Sequence, residues 1–346
     1  MKDVLKDANF PRTSDLRVYH LGLRPGEVAN RIVTVGSPSR ARTVAQLLDN
    51  VPKPFKLESE RGFLTITGRY KGTPVSIMSI GMGSPNMDFF VRETRECLSG
   101  DMLIIRLGSC GCLIDAPVGT VVVPKACVAV TRNVDFDFVN PDTCVDPPYR
   151  ISKPVYGDPE FHIQVKKSLE AAKPMHSECA ILGDTVNASA DSFYSSQGRL
   201  TSFPDHNDIV IEQLLTIPDM TTLEMETHHL YHLAACWGRR KETQRTFDSP
   251  LTTSPVSPKL LQSSPVVQTG ATSMDSTSPL AGLDTVIRVS AAHMVFANRS
   301  SRDFISPEQV SELEKWTGKG VLDALVETNI SSDRHHPEKD SVWEIR

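Results

Sequence analysis

Met102-Leu-Ile-Ile-Arg-Leu-Gly-Ser-Cys-Gly111 is the stretch on which the fold turns. Its first six residues form a short apolar run of strand length, and the run ends on glycine. Further runs on either side repeat the signal. Ile32–Val35, Val75–Ile80 and Val121–Val123 read as buried strands, as do Val286–Val289 and Met294–Ala297. Between them lie amphipathic segments. Arg40–Asp49 sets Val44, Leu47 and Leu48 on one face, and Glu160–Ala172 sets Phe161, Val165 and Leu169 at spacings of four. Glu308–Val326 is a third, with Ser306 as cap and Pro307 in its first turn. Such strand–helix alternation implies an α/β sandwich around a largely parallel or mixed sheet.

Glycines cluster at the strand ends. Val35-Gly36-Ser37-Pro38-Ser39-Arg40 and Gly81-Met82-Gly83-Ser84-Pro85 each lead from a strand towards a helix, and Arg106-Leu107-Gly108-Ser109-Cys110-Gly111 ends the third strand. Ligands bind at strand ends of open α/β sheets, where glycines admit close backbone approach and helix N-termini favour anions. None of the three is G-x-G-x-x-G or a Walker A loop, so NAD and nucleoside triphosphates are poorly supported. Arginines stand beside the glycines instead: Arg40 and Arg106, with Arg61 between. Guanidinium forks match phosphate geometry. Arg40 reads equally as a solvated helix-face charge, whereas Arg106 interrupts a buried strand and needs a partner or an anion.

Two later clusters are polar. In Asp191-Ser-Phe-Tyr-Ser-Ser-Gln-Gly-Arg199, Gln197 supplies donor and acceptor together and Arg199 only donors, downstream of Phe193. The mixture suits a planar heterocycle with a carbonyl–NH–carbonyl edge; a plain polar loop is the competing reading. Leu223-Glu224-Met225-Glu226-Thr227 enters a His-rich helix, and its two carboxylates could accept from a diol such as ribose or be solvated acids at a helix start.

Composition bounds the rest. At 346 residues, 39% hydrophobic and 23% charged, the chain can build one large domain spanning 1–346. A net charge of −5 argues against a nucleic-acid binder. No apolar run approaches the roughly 18–20 residues needed to span a bilayer, and the N-terminus lacks a secretory h-region. Seven scattered cysteines read as reduced thiols in a cytoplasmic protein. There is no G-x-S-x-G elbow and no H-E-x-x-H. His228 and His232 alone do not make a metal site, and a Cys110 nucleophile lacks a histidine base. No metal and no cofactor are expected. From Lys241 to Ala281, 20 of 41 residues are Ser, Thr or Pro, which reads as a disordered insertion after a helix ending near Trp237. Ser249, Ser254, Ser257, Ser264 and Ser278 each precede proline, as low-complexity filler or as a patch for proline-directed kinases. The tail 331–346 is expected to be flexible.

Taken in order, these pieces resemble a nucleoside phosphorylase of the uridine phosphorylase type. The likeness runs from Val18-Tyr-His-Leu-Gly-Leu23 to Asn298-Arg299 and on through the C-terminal helix. It implies a three-layer α/β/α sandwich around a central mixed, partly barrel-like sheet. Phosphate would be held by Gly36, Arg40, Arg106 and Ser109, with Arg61 from a neighbouring subunit. Ribose would meet Met225, Glu226 and Ser109, with His20 of the neighbour at its 5′-hydroxyl. Uracil would sit by Phe193, Gln197, Arg199 and Arg299. The resemblance implies phosphorolysis of uridine, with Arg106, Gln197 and Arg199 carrying the chemistry, in a homo-oligomer from dimer to hexamer. Purine-cleaving relatives typically place an aspartate where Asn298-Arg299 stands. A purine phosphorylase or nucleosidase, or a non-catalytic scaffold, are the other readings. Two positions depart from bacterial relatives: Cys110 replaces a threonine, and Gly62 replaces a glutamate that helps bind an interfacial potassium ion.

Overall fold

A computed structural model describes residues 4–244, 282 and 284–345. Among the described residues, eleven strands and six α-helices follow one another. They are β1 (Arg31–Val35), α1 (Pro38–Ala45), β2 (Phe55–Glu58), β3 (Leu64–Tyr70), β4 (Thr73–Ser79), α2 (Ser84–Arg95), β5 (Met102–Cys112), β6 (Val121–Arg132), β7 (Tyr149–Ile151), β8 (Val155–Tyr156), α3 (Pro159–Ala172), β9 (Ile181–Ala190), α4 (Val210–Leu215), β10 (Met220–Glu224), α5 (Thr227–Gln244), β11 (Ile287–Asn298) and α6 (Pro307–Glu327).

All strands join one mixed sheet in the order β10-β9-β6-β11-β5-β1-β4-β3-β2, with β7 and β8 on β6. β5 lies parallel to both β1 and β11, with Ile32 opposite Ile104 and Ser290 opposite Ile105. β5 also pairs antiparallel with β10, Thr222 opposite Cys112 and Leu223 opposite Gly111. The pairings β5–β11–β6–β9–β10–β5 therefore return on themselves, and one half of the sheet is a closed ring. The sheet is a three-layer α/β/α sandwich with a barrel-like end, as the resemblance implies.

β5 shows why its first half is apolar apart from Arg106. Leu103, Ile105 and Leu107 join Val44, Phe161, Leu169 and Trp316 beneath α1, α3 and α6. Met102 and Ile104 join Met87, Phe90, Leu230 and Tyr231 beneath α2 and α5. Period-2 side chains thus feed two cores, and both faces are covered. Caps match the sequence: Ser37, Asp158 and Ser306 each accept a backbone N–H at the start of α1, α3 and α6.

Several boundaries differ from expectation. β5 and β6 run on to Cys112 and Arg132, and the two runs at 286–297 are one strand, β11. Its interruption, Ser290 and His293, is fully buried, because strand pairing and not hydrophobicity carries the element through. The helix expected to end near Trp237 continues to Gln244. The rest of the expected insertion, 245–281 with its Ser-Pro sites, lies outside the described residues. Residues 331–345, expected to be flexible, instead pack back. Trp343 is 1% exposed, Arg69 donates through Nε to its carbonyl at 3.0 Å, and His336 accepts from the Ser99 amide at 3.1 Å. A buried indole anchors what charge alone suggested was loose. Among the described residues, no helix is long and apolar enough to cross a membrane.

Candidate active site

The glycine-rich strand ends converge on a cavity of about 420 Å³. Gly36, Ser37 and Arg40 line it from β1–α1, Gly81 and Met82 from the turn before α2, and Arg106 with Ser109–Gly111 from β5. Phe193, Gln197 and Arg199 come from the loop after β9, Leu223–Glu226 from β10–α5, and Phe296 and Ala297 from β11.

Arg106 is buried in the cavity wall. It is 3% exposed, and its Nη2 donates to Glu226 Oε2 at 2.7 Å. Its Nε and Nη1 are buried without a partner among the described residues. Strand register explains how so large a cation fits: Ala291 lies opposite Arg106, and His293 lies opposite Gly108. Gly108 lies against both side chains: a Cβ there would make ordinary contacts with His293 Cδ2 at 3.4 Å and Arg106 Nε at 3.6 Å. Arg40 is also buried, which removes the solvated helix-face reading. Its Nε donates to Glu314 Oε1 at 2.7 Å, and burial draws its pKa down against that partner. This end presents two guanidiniums, the start of α1 and unpaired N–H groups, an arrangement suited to an oxyanion.

The two carboxylates have separate jobs. Glu224 is saturated from within: Asn187 Nδ2 donates at 2.8 Å, the Glu226 amide at 2.9 Å, Thr227 Oγ1 at 2.9 Å, and Ser189 Oγ donates as well. Its charge pins the backbone turn that carries Glu226. Glu226 is 4% exposed and accepts from Gly83 N–H at 2.5 Å besides Arg106. Gly83 offers that N–H from φ 93°, a conformation open to glycine. Burial pushes the Glu226 carboxyl up, and the Arg106 guanidinium opposes the rise. Behind them His293 Nε2 meets Thr227 Oγ1 at 2.9 Å; burial, then Arg106, drops its pKa to about 3 and keeps the ring neutral.

At the other end the Arg199 guanidinium carbon lies 4.2 Å over the Phe193 ring, and Arg199 Nη2 donates to Gln197 Oε1 at 3.4 Å. Burial lowers the Arg199 pKa. Gln197 is 2% exposed, so the pair is an ordered fixture. Arg299 does not line the cavity. Its Nη1 and Nη2 donate to the Gln197 and Gly198 carbonyls at 2.9 and 3.1 Å, holding the turn that presents Gln197.

His20 and Arg61 also lie outside this cavity, linked to each other through Tyr19. His20 bonds Glu93 Oε1 through Nδ1 at 2.6 Å and stacks on Phe89 at 3.8 Å; Arg61 lies over Tyr19 at 5.1 Å. Burial pushes the Cys110 thiol well above its ordinary value, which leaves no thiolate for a nucleophile. His228 and His232 stack in parallel with centroids 6.2 Å apart, and no group of three potential metal ligands occurs among the described residues. Sequence reasoning missed Phe296, Phe304 and Met82 in the wall, and Glu314 behind Arg40. Phe296 stood two residues before Asn298-Arg299 and Met82 inside the Gly81–Gly83 turn, whereas Phe304 and Glu314 carried no signal.

Known proteins resemble this chain over most of its length. The chain is 29% identical over 244 residues to a uridine phosphorylase of Thermococcus kodakarensis, covering 69% of this chain and 80% of that one. It is 27% identical over 225 residues to a DeoD-type purine nucleoside phosphorylase of Oceanobacillus iheyensis, covering 64% and 82%. A solved structure from work on two diverse uridine phosphorylases of the oomycete Phytophthora capsici superposes with a TM-score of 0.76 at 37% identity, covering 94% of this chain and all of that one. A Trypanosoma brucei nucleoside phosphorylase structure, at 19% identity and a TM-score of 0.68 over 92% of this chain, shares the fold. Residues 30–240 match the phosphorylase superfamily, and the chain belongs to that family.

Proposed function

We propose that this chain is a uridine phosphorylase, catalysing reversible phosphorolysis of uridine to uracil and ribose 1-phosphate. One observation carries the reading: a single cavity holds a buried Arg106 with two unsatisfied N–H-bearing nitrogens at one end and the Gln197–Arg199 pair at the other. Relatives named for this activity support it.

Phosphate binds against Gly36, Arg40, Arg106 and Ser109, ribose against Met225 and Glu226, and uracil between Phe193, Gln197 and Arg199. As the glycosidic bond stretches, its electron pair leaves with the pyrimidine and the ribose becomes oxocarbenium-like. Arg199 stabilises the negative charge growing on the base, while Gln197 fixes its orientation. A phosphate oxygen, held close by the arginines, then forms the new bond at the anomeric carbon. Glu226 accepts from the ribose hydroxyls. Arg299 acts through the Gln197–Gly198 carbonyls, as a positioning residue for the base. His20 and Arg61 complete the site of a second copy, so the active unit is a homo-oligomer of two to six chains in the cytoplasm.

Asn298 weighs against purine cleavage. Its Nδ2 donates to the Ile114 and Ala116 carbonyls at 3.1 and 2.7 Å, so the position offers no acid to protonate a purine ring. The test is purified protein with uridine or inosine, with and without phosphate, following free base. Phosphate-dependent uracil release is expected. Inosine cleavage in its place, or no release of either base, refutes the assignment.

A further inference from the structure

A second cavity, of about 430 Å³, opens between the turn before β6, the segment before β9 and the first turns of α6. It matches the first in size and differs in chemistry. Leu313 and Trp316 form its buried apolar floor. Glu178 and Glu312 stand exposed at the rim, neither in an ion pair among the described residues, and no lysine or arginine lines the wall. An indole floor flanked by carboxylates attracts an ammonium carried on an apolar body.

The cavity is also wired to the first by two routes. Gly119 N–H donates to the Val295 carbonyl at 2.9 Å, and Val295 N–H donates to the Thr120 carbonyl at 2.8 Å. The next two residues of β11, Phe296 and Ala297, line the first cavity. On α6, Leu313 and Trp316 face the second cavity while Glu314 between them holds Arg40 of the first.

We propose that the second cavity is a regulatory site for a small organic ammonium with an apolar body, and that its occupancy braces Glu314 on Arg40 and tightens phosphate binding in the first cavity. The second half rests on the phosphate reading given above; the first half does not. Filling the site restrains the start of α6, so Arg40 loses less freedom when the oxyanion arrives.

Isothermal titration of the full-length protein with 2-phenylethylamine tests the site, with phenylacetate as the anionic control. Saturable amine binding is expected, at least tenfold weaker in the doubly substituted Glu178→Gln/Glu312→Gln protein, whose changes lie on the exposed rim, and at least tenfold weaker for phenylacetate. Absence of saturable binding, equal binding by the double variant, or equal binding of phenylacetate overturns the site. The coupling is read from the KM for phosphate at saturating amine, expected to fall at least twofold while the KM for uridine stays constant. An unchanged phosphate KM, or both constants moving together, overturns the coupling. Were the protein to turn over no nucleoside, the function proposed above would fail by itself; the titration would still decide the site, and phosphate affinity measured with and without amine would decide the coupling.

Discussion

Glu226→Ala is the perturbation whose consequences the structure constrains most tightly. Arg106 is 3% exposed, and Glu226 is its counter-charge at 2.7 Å. Removing the carboxylate leaves a buried guanidinium with no compensation, a class of change that costs about 3–5 kcal/mol. Water can enter along the cavity, which favours the lower figure. For a domain of this size each kcal/mol moves Tm by roughly 2 °C, so a fall of about 6–10 °C is expected by calorimetry. An anion bound at Arg106 supplies the missing charge. Phosphate should therefore bind the variant more tightly than the wild type and narrow the Tm gap between them. Replacing both partners, as Arg106→Met with Glu226→Leu, removes the stranded charge and should cost less than Glu226→Ala. A Tm drop under 2 °C, or a gap that phosphate leaves untouched, would refute the claim that Arg106 is a buried cation held for an oxyanion.

Other expectations follow from the same geometry. Arg199→Ala should lower kcat/KM for uridine by about 100-fold or more, as for other lost donors to a developing anion, with phosphate affinity changed much less; steady-state kinetics showing equal losses would contradict its role at the base. Arg299→Ala releases the Gln197–Gly198 carbonyls, so KM for uridine should rise several-fold, with Arg299→Lys restoring part of it; an unchanged KM would show that the turn holds itself. His293, with its pKa lowered to about 3, leaves the unfolded chain binding the extra proton below about pH 6.5. Stability should therefore fall as pH drops through that window, by about 1.4 kcal/mol per unit at most. His293→Gln should flatten the acid limb of Tm against pH, and an unaltered limb would show that His293 does not set it.

The residues that line the cavity were more legible than the strand boundaries. Arg106 betrayed itself because a charge inside an apolar run must be paired, and glycines at three strand ends marked where a ligand could approach. Gln197 and Arg199 stood out as a pair because donor and acceptor types belong to the side chains themselves. β9 stayed hidden for a physical reason. In Ile181–Ala190, Val186, Ala188 and Ala190 face one apolar cluster, while Asn187 and Ser189 face the Glu224 carboxylate. Small and polar residues inside a closed ring carry little hydrophobic signal. Glu224 looked like a partner of Glu226 at a helix start, but it ends β10, and only long-range pairing shows that its hydrogen bonds are already filled. The tail was misjudged because one buried Trp343 outweighs a dozen polar neighbours.

Closure of the ring is what turns scattered motifs into one site. Glu226 lies 120 residues from Arg106, and their contact requires β10 to be laid antiparallel on the end of β5, Leu223 against Gly111. Without that pairing the sheet would end at β10 as an open edge, and Glu226 would have no fixed relation to the arginine. The loop after β9 is drawn in by the same ring, since β9 lies between β6 and β10. Arg299, at the end of β11, then ties that loop down through two carbonyls. Three proposed subsites thus hang from the rim of one closed set of strands whose register cannot slip singly without breaking a ladder on each side. A reaction that needs phosphate, sugar and base held within bonding distance of each other gains its alignment from that rigidity before any ligand arrives.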